Sequence, residues 1–156
     1  MKLTLLAVGT RLPAWAESAC AEYVRRFPPD LPLTIVEVKA EPRAGGKSVT
    51  ELKRREAERL RAQIPTGARL VALDEHGTDL DTKQLATRLQ SWRHDGRDVA
   101  LLIGGPDGLD PALLQAADET VRLSSLTLPH ALARVVLIEA LYRAWSLTAG
   151  HPYHRE

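Results

Sequence analysis

The sequence predicts an α/β fold in which helices cover both faces of a mainly parallel central sheet. Five apolar runs of strand length recur along the 156 residues, and polar stretches with helical periodicity separate them. Several runs are continuously apolar, which is typical of strands buried on both faces. The length and an average composition, with 44% hydrophobic and 26% charged residues, favour a single domain over residues 1–156.

These patterns assign the elements in chain order. Strands are predicted at residues 3–8, 33–38, 70–73, 99–103 and 121–126. Helices are predicted at residues 14–27, 48–64, 82–94, 111–117 and 129–149. Ser48 and Glu51 have the spacing of a capping box, and Asp110 stands where an N-cap is expected. The loop 41–47 is basic and rich in glycine, so we expect it to be the most mobile segment.

The last predicted helix is apolar on every side. Its apolar residues are Leu132, Val135, Val136, Leu137, Ile138, Leu141, Tyr142, Trp145 and Leu147. Such a helix must be buried all round, and the sheet of one small domain covers only one of its faces. A membrane span is the alternative, but Arg134, Glu139 and Arg143 would each be costly in lipid. We therefore expect a homodimer formed through this helix and no membrane interaction.

Charge and cysteine content exclude several classes of protein. The net charge of +1 excludes uniformly basic nucleic-acid binding, although residues 1–70 hold 13 basic and 8 acidic side chains, a local +5. Cys20 is the only cysteine, which excludes an intramolecular disulfide and a cysteine-based metal cage, and we expect it to be buried. The short apolar N-terminal run lacks the pattern of a signal peptide. A cytoplasmic location is expected.

Two segments at strand ends could carry chemistry. Residues 101–108 form a strand followed by a glycine-rich turn, where a ligand can approach the backbone, although a plain tight turn is the alternative. This turn lacks the P-loop and dinucleotide-binding motifs. Residues 123–130 carry small hydroxyl side chains suited to a flat, uncharged group, and the absence of G-x-S-x-G disfavours a serine hydrolase. We interpret His130 as a helix-start or core histidine.

The C-terminal tail, residues 150–156, concentrates two histidines, a tyrosine and an arginine. His151 and His154 have no third ligand nearby, so no metal is expected. A tyrosine that can stack and an arginine that can contact phosphate or bases fit RNA better.

The motifs in these three segments resemble those of a known family. The strand-turn Leu-Ile-Gly-Gly-Pro-Asp-Gly, the stretch Leu-Ser-x-Leu-Thr-Leu-Pro-His, the segment Arg-Ala-Trp-Ser and the terminal His-Pro-Tyr-His-Arg-Glu occur in order. With the early Ala-Val-Gly-Thr and Tyr-x-x-Arg-Phe, they resemble the bacterial ribosomal large-subunit RNA pseudouridine N3-methyltransferases of the SPOUT (trefoil-knotted) class. The resemblance covers essentially the whole chain.

This resemblance implies a dimeric α/β fold with a C-terminal trefoil knot, an exception to the rule that chains do not thread loops. It implies S-adenosyl-L-methionine as cofactor and large-subunit ribosomal RNA, within the ribosome, as partner. Carried onto this sequence, the cofactor-binding positions are Leu73, Gly104, Gly105, Leu123, Ser124, Ser125, Leu126, Thr127 and Leu128.

The same resemblance directs attention to the tail for catalysis. Arg155 or Arg143 would stabilise negative charge on the pseudouridine carbonyls, His154 would accept the N3 proton, and Tyr153 would stack on the base. The tail follows the dimer helix, so it would act in its own subunit or across the dimer. Two alternatives are a non-enzymatic ribosome-binding module with a vestigial pocket and a flavodoxin-like enzyme. The 4% aromatic content and the missing phosphate loop disfavour the latter.

Overall fold

The computed structural model describes residues 1–155 and contains one five-stranded sheet with five α-helices. The strands are β1 Leu3–Val8, β2 Leu33–Val38, β3 Arg69–Asp79, β4 Val99–Ile103 and β5 Glu119–Arg122. The helices are α1 Ala14–Arg26, α2 Val49–Arg61, α3 Thr82–Asp95, α4 Pro111–Ala116 and α5 His130–Ala149, followed by a 3₁₀ turn at Pro152–Arg155.

The sheet has the order β2-β1-β4-β3-β5, and every strand pair is parallel. Two apolar cores lie on its opposite faces. One core joins the sheet to α1, α3 and α5, and the other joins it to α2 and α4. This arrangement confirms the predicted parallel α/β fold. The knot stays a prediction, because strand order and pairing do not trace how the chain threads.

The third and fifth strands differ from their predicted bounds. β3 continues past Leu73 to Asp79, with a register shift against β5 between Leu73 and Thr78. The polar, half-exposed second half of β3 gives no apolar signal, so the sequence missed it. β5 ends at Arg122, so the predicted strand 121–126 is wrong over residues 123–126. Residues 123–126 form a loop instead of extending the sheet, and the Leu126 side chain is 76% exposed.

Helix boundaries follow local capping interactions. The Ser48 side chain accepts a hydrogen bond from the Glu51 N–H at 3.2 Å, and Asp110 caps α4 as expected. A full capping box not found in the sequence joins Asp81 and Gln84 at the start of α3. These caps satisfy backbone donors that the first turn of a helix leaves unpaired. They determine the residues at which α2, α3 and α4 begin.

The basic loop 41–47, expected to be mobile, is held by ion pairs at its acidic first residue. Glu41 is buried and pairs with Arg59 of α2 as well as with Lys47 at the far end of the loop. Arg59 and Lys47 hold the pKa of Glu41 below its usual value, chiefly through the hydrogen bond from Arg59. The loop is therefore tied to α2 instead of projecting freely.

Helix α5 is only partly covered within one chain. It packs against α1 and α3 through Leu137, Ile138, Leu141 and Tyr142, which are buried. Val135, Val136, Trp145 and Leu147 remain half-buried, and Leu132 is 38% exposed. The single chain therefore leaves apolar α5 surface open to solvent. No helix within residues 1–155 is long and apolar enough to cross a membrane.

Candidate functional site

A cavity of about 490 Å³ opens at the carboxyl ends of β3, β4 and β5. Open α/β sheets bind ligands at this edge, and the volume lies within the range of small-molecule sites. All nine residues predicted to bind a cofactor line it: Leu73, Gly104, Gly105, Leu123, Ser124, Ser125, Leu126, Thr127 and Leu128. The chain thus brings together residues that are up to 55 positions apart in the sequence.

The glycine-rich turn after β4 forms one wall, and its first two glycines have little room for a side chain. A Cβ on Gly104 would lie 2.5 Å from the backbone carbon of Gly108, and one on Gly105 would lie 3.1 Å from Val8. The Gly108 N–H donates to the Gly105 carbonyl at 3.0 Å and closes the turn. Gly108 has a φ of +83°, which favours glycine. The turn therefore presents backbone groups to the cavity.

The loop between β5 and α5 forms the facing wall. Ser124 Oγ accepts a hydrogen bond from the Leu126 N–H at 2.9 Å, which bends the loop around the cavity. The side chains of Ser125 and Thr127 are exposed, and Leu128 is half-buried. This wall combines hydroxyl groups with apolar surface, as expected for a site that holds a partly flat, partly polar ligand.

Two carboxylates stand on the third side of the cavity. Asp74 and Glu75 follow Leu73 in β3, and both line the cavity. The Asp74 carboxylate accepts a hydrogen bond from the His76 N–H at 3.0 Å. This side of the cavity therefore carries two carboxylates, and Arg122 also lines the cavity.

His130 joins the cavity to a buried arginine. Arg134 donates from Nε to His130 Nε2 at 2.8 Å, and Arg134 is 1% exposed. Burial and the Arg134 charge lower the pKa of His130, and the nearby Gly104 backbone partly opposes this shift. The ring lines the cavity, so this histidine connects the glycine wall to α5. The motif Leu-Pro-His contained it, but nothing in the sequence indicated the bond to Arg134.

The tail folds back onto α5 instead of fraying. The Tyr153 ring is buried and lies 4.7 Å from the Tyr142 ring, edge to face. Its hydroxyl lies 2.9 Å from the Tyr23 hydroxyl and donates to Glu139 at 3.0 Å. Burial and these hydrogen bonds raise the pKa of Tyr153 above its usual range. Tyr153 is therefore a neutral anchor that fixes the tail.

The other tail residues surround this anchor. Arg143 donates to Glu139 at 2.9 Å and lies 5.0 Å from the centre of the Tyr153 ring. His154 is half-buried, and its Nδ1 is buried without a hydrogen-bond partner among residues 1–155. Arg155 is exposed. The tail thus gathers a cation, an imidazole and an anchored tyrosine in one place.

The family model described as "Predicted SPOUT methyltransferase" matches residues 1–154. The chain belongs to this family. Relatives named "Ribosomal RNA large subunit methyltransferase H" come from Methylibium petroleiphilum and Paracidovorax citrulli, at 65% and 61% identity over 156 residues. Each alignment covers 100% of this chain and 100% of the relative. A solved structure described as "Structural insights into the 2-OH methylation of C/U34 on tRNA" shares the fold, with a TM-score of 0.50 and 18% identity over 96% of this chain and 97% of that one.

In this SPOUT methyltransferase chain, the tail and the cavity are separate. Within residues 1–155, none of Arg143, Tyr153, His154 and Arg155 lines the cavity that collects the predicted cofactor residues. The predicted cofactor positions and the predicted catalytic residues therefore lie in two separate places on one chain.

Sequence reasoning missed one further connection of the cavity wall in this SPOUT methyltransferase. Buried Glu56 of α2 accepts from Arg43 Nη1 at 2.6 Å and from the Glu41 N–H at 3.0 Å. An ideal Cβ on Gly105 would stand 3.2 Å from Glu56. The partners lie far apart in sequence, so no local sequence pattern predicts these bonds.

The described residues 1–155 contain no cluster of three or more potential metal ligands.

Proposed function

We propose that the protein is an S-adenosyl-L-methionine-dependent methyltransferase that acts on N3 of a pseudouridine in large-subunit ribosomal RNA. The observation that carries the proposal is the cavity at the sheet edge, which collects every residue position that the family resemblance assigns to the cofactor. Full-length relatives that share more than half of this sequence and are named for large-subunit RNA methylation support the substrate class. They favour an enzyme over a non-enzymatic ribosome-binding module.

The walls of the cavity fit S-adenosyl-L-methionine. Leu73 and Leu128 offer apolar surface for a flat base, and the turn at Gly104 and Gly105 offers backbone groups without side-chain obstruction. The carboxylates of Asp74 and Glu75 would favour a positively charged sulfonium. When bound, this group supplies an electrophilic methyl.

The residues of the tail supply the remaining requirements of methyl transfer. Methylation of N3 removes an imide proton, and negative charge develops on the two flanking carbonyl oxygens. The exposed Arg155 guanidinium would stabilise this charge, with Arg143 as the second candidate. His154, which is half-buried, would accept the proton directly or through water. Tyr153 anchors these groups through its buried ring and so orients them toward the base.

The working unit of this proposal is a homodimer of single-domain subunits, each comprising residues 1–156. The apolar α5 surface left open by one chain supports a partner there. The separation of tail and cavity within one chain supports a site that combines the cavity of one subunit with the tail of the other. A ribosomal substrate places the enzyme in the cytoplasm.

The test is transfer of a tritiated methyl group to intact ribosomes, large subunits and free RNA. The proposal expects label in large-subunit RNA, at a nucleotide whose modification is lost when the pseudouridine is replaced by uridine. Calorimetry with S-adenosyl-L-methionine separates the alternatives, because a binding module with a vestigial pocket would bind ribosomes without binding the cofactor. Binding to ribosomes without cofactor binding or methyl transfer would contradict the proposal.

A further inference from the structure

We propose that His130 is a positioning residue that holds the glycine wall of the cavity through one fixed neutral tautomer, imposed by Arg134. The inference rests on the proposed function in one respect, namely that the cavity binds S-adenosyl-L-methionine. It assigns to this histidine a role in cofactor affinity that neither a helix-start nor a core position would require.

Arg134 is the fixed point of the arrangement. Its guanidinium is buried and donates to three partners, one just after β1, one on β2 and one on its own helix. Nη2 donates to the Gly9 carbonyl at the end of β1 at 2.6 Å, and Nη1 pairs with Glu37 of β2. Nε donates to His130 Nε2 at 2.8 Å. A buried arginine whose Nε, Nη1 and Nη2 atoms all donate hydrogen bonds has little freedom to move.

The Arg134 bond decides which nitrogen of His130 carries the proton. A guanidinium N–H only donates, so His130 Nε2 must be an unprotonated acceptor. A neutral imidazole has one N–H, and here that N–H must be at Nδ1. The Nδ1 N–H is then the group that we propose donates to the backbone of Gly104, which lies close to the ring and lines the same cavity.

The result is a continuous chain of bonds from β2 to the cavity wall. Observed bonds join Glu37, Arg134 and His130, and the proposed bond from His130 Nδ1 extends them to Gly104. Gly104 is the position where a Cβ would collide with the opposite strand of the turn, so the turn has little room to shift. A small displacement of this carbonyl would move the wall against any ligand in the cavity. Fixing it therefore preorganises the site.

Protonation of His130 would break the chain. The charged groups that face the ring are Arg134 on its own helix and Glu37 on β2, and Asp74, Glu75 and Arg122 line the same cavity. The charges of Arg134 and Glu37 also act on Cys20 of α1. Burial raises the pKa of this thiol, so it is uncharged. A proton on Nε2 would leave two cationic groups face to face and remove the acceptor of Arg134. Only the neutral ring can accept the hydrogen bond from Arg134 without placing two positive charges side by side.

The experiment compares three variants by calorimetric titration with S-adenosyl-L-methionine between pH 7.5 and pH 5. His130→Leu removes both hydrogen bonds, and we expect affinity about tenfold weaker at pH 7.5. His130→Gln retains an acceptor and a donor but does not titrate, so we expect affinity within about threefold of the wild type. In the wild type, affinity falls as the pH drops below the ordinary histidine value of about 6.5, and in His130→Gln that fall is absent.

A matched control uses a histidine away from the cavity. His94 is exposed near the end of α3 and does not line the cavity, so His94→Gln should keep the wild-type affinity and pH profile. Wild-type affinity in His130→Leu, or the same pH profile in His130→Gln and wild type, would overturn the proposal. Thermal unfolding of each variant reports whether an affinity loss is a folding loss.

A measurement without ligand keeps this inference separate from the proposed function. Nitrogen-15 NMR of the imidazole should show the proton of His130 on Nδ1 at pH 7.5, whereas a proton on Nε2 would contradict the tautomer assignment. If the wild-type protein binds no S-adenosyl-L-methionine, the proposed function fails and so does the role in cofactor affinity. The NMR result then still decides whether Arg134 sets the tautomer.

Discussion

Arg43 and Asp107 form an ion pair that joins the basic loop to the glycine-rich turn. Arg43 Nη2 lies 3.0 Å from Asp107 Oδ2, and the same guanidinium donates to buried Glu56 at 2.6 Å. Asp107 sits between Pro106 and Gly108, two residues of the cavity wall. One arginine side chain therefore links α2, the loop 41–47 and the turn after β4.

Replacing Arg43 with alanine should destabilise the fold. Glu56 would keep its buried charge with only the Glu41 N–H as partner, and we expect a loss of about 1–3 kcal/mol in the free energy of unfolding. Urea denaturation measures this loss. Arg54→Ala is the matched control, because Arg54 pairs with Glu51 and Glu58 on the exposed face of α2 and should cause little change. Equal effects of the two variants would contradict the role of Arg43.

Gly104→Ala should abolish cofactor binding more readily than it unfolds the protein. The added Cβ would lie 2.5 Å from the Gly108 backbone carbon, so the turn must open and displace the cavity wall. We expect S-adenosyl-L-methionine affinity at least about tenfold weaker by calorimetry. Gly46→Ala is the control, since open space surrounds that position and only its φ of +77° opposes the substitution, at a cost of about 1 kcal/mol. Unchanged affinity in Gly104→Ala would show that the wall does not contact the ligand.

The strands that position the cavity were easier to predict from the sequence than the hydrogen bonds and ion pairs that hold its walls in place. Buried, apolar runs identified β1 and β4 with the bounds found in the structure, because burial on both faces leaves a strong signal. The partly exposed edge strand β2 was also predicted with its observed bounds. The second half of β3 is polar and was missed, and Leu123 and Leu126 extended β5 wrongly, because apolar residues also line cavities. The partners of Arg134 and Arg43 come from distant segments, and a single sequence contains no signal for such pairs.

The buried thiol of Cys20 should react slowly with thiol reagents. Cys20 is buried, as predicted, and burial raises the pKa of its thiol, so the reactive thiolate is scarce at pH 8. Labelling by a disulfide reagent should be at least about a hundredfold slower in the native protein than in urea. Spectrophotometric release of the reagent chromophore measures both rates. Native labelling as fast as unfolded labelling would contradict the burial of Cys20.

Arg155→Ala should lower the rate of methyl transfer without weakening cofactor binding. Arg155 is exposed and lies outside the cavity of its own chain, so its removal leaves the cofactor walls intact. We expect kcat about a hundredfold lower, the effect of removing a preorganised group that stabilises developing charge. Single-turnover methyl transfer and calorimetry separate the two quantities. Arg97→Ala is the control, because Arg97 pairs with Asp95 at the opposite edge of the sheet and should keep full activity.

A mixture of two impaired variants, assayed at a cofactor concentration too low to saturate Gly104→Ala, should recover activity if the site is shared between subunits. Arg155→Ala retains its cavity but lacks the cation, whereas Gly104→Ala retains its tail but lacks the cavity wall. A dimer containing one of each has one intact combination of cavity and tail, provided that the tail acts across the interface. Random mixing of equal amounts makes half of the dimers mixed, each with one of two sites intact, so about a quarter of the wild-type rate should return.

The mixing experiment needs proof that subunits exchange. Each variant is given a different affinity tag, mixed dimers are isolated through both tags, and methyl transfer to ribosomes is measured per dimer. The apolar surface of α5 around Leu132 predicts that the interface forms there, so Leu132→Arg should yield monomers by sedimentation and abolish the recovery. Pure mixed dimers at half the wild-type rate support a shared site, because each contains one intact site. Pure mixed dimers without activity show that the cavity and the tail act in the same subunit.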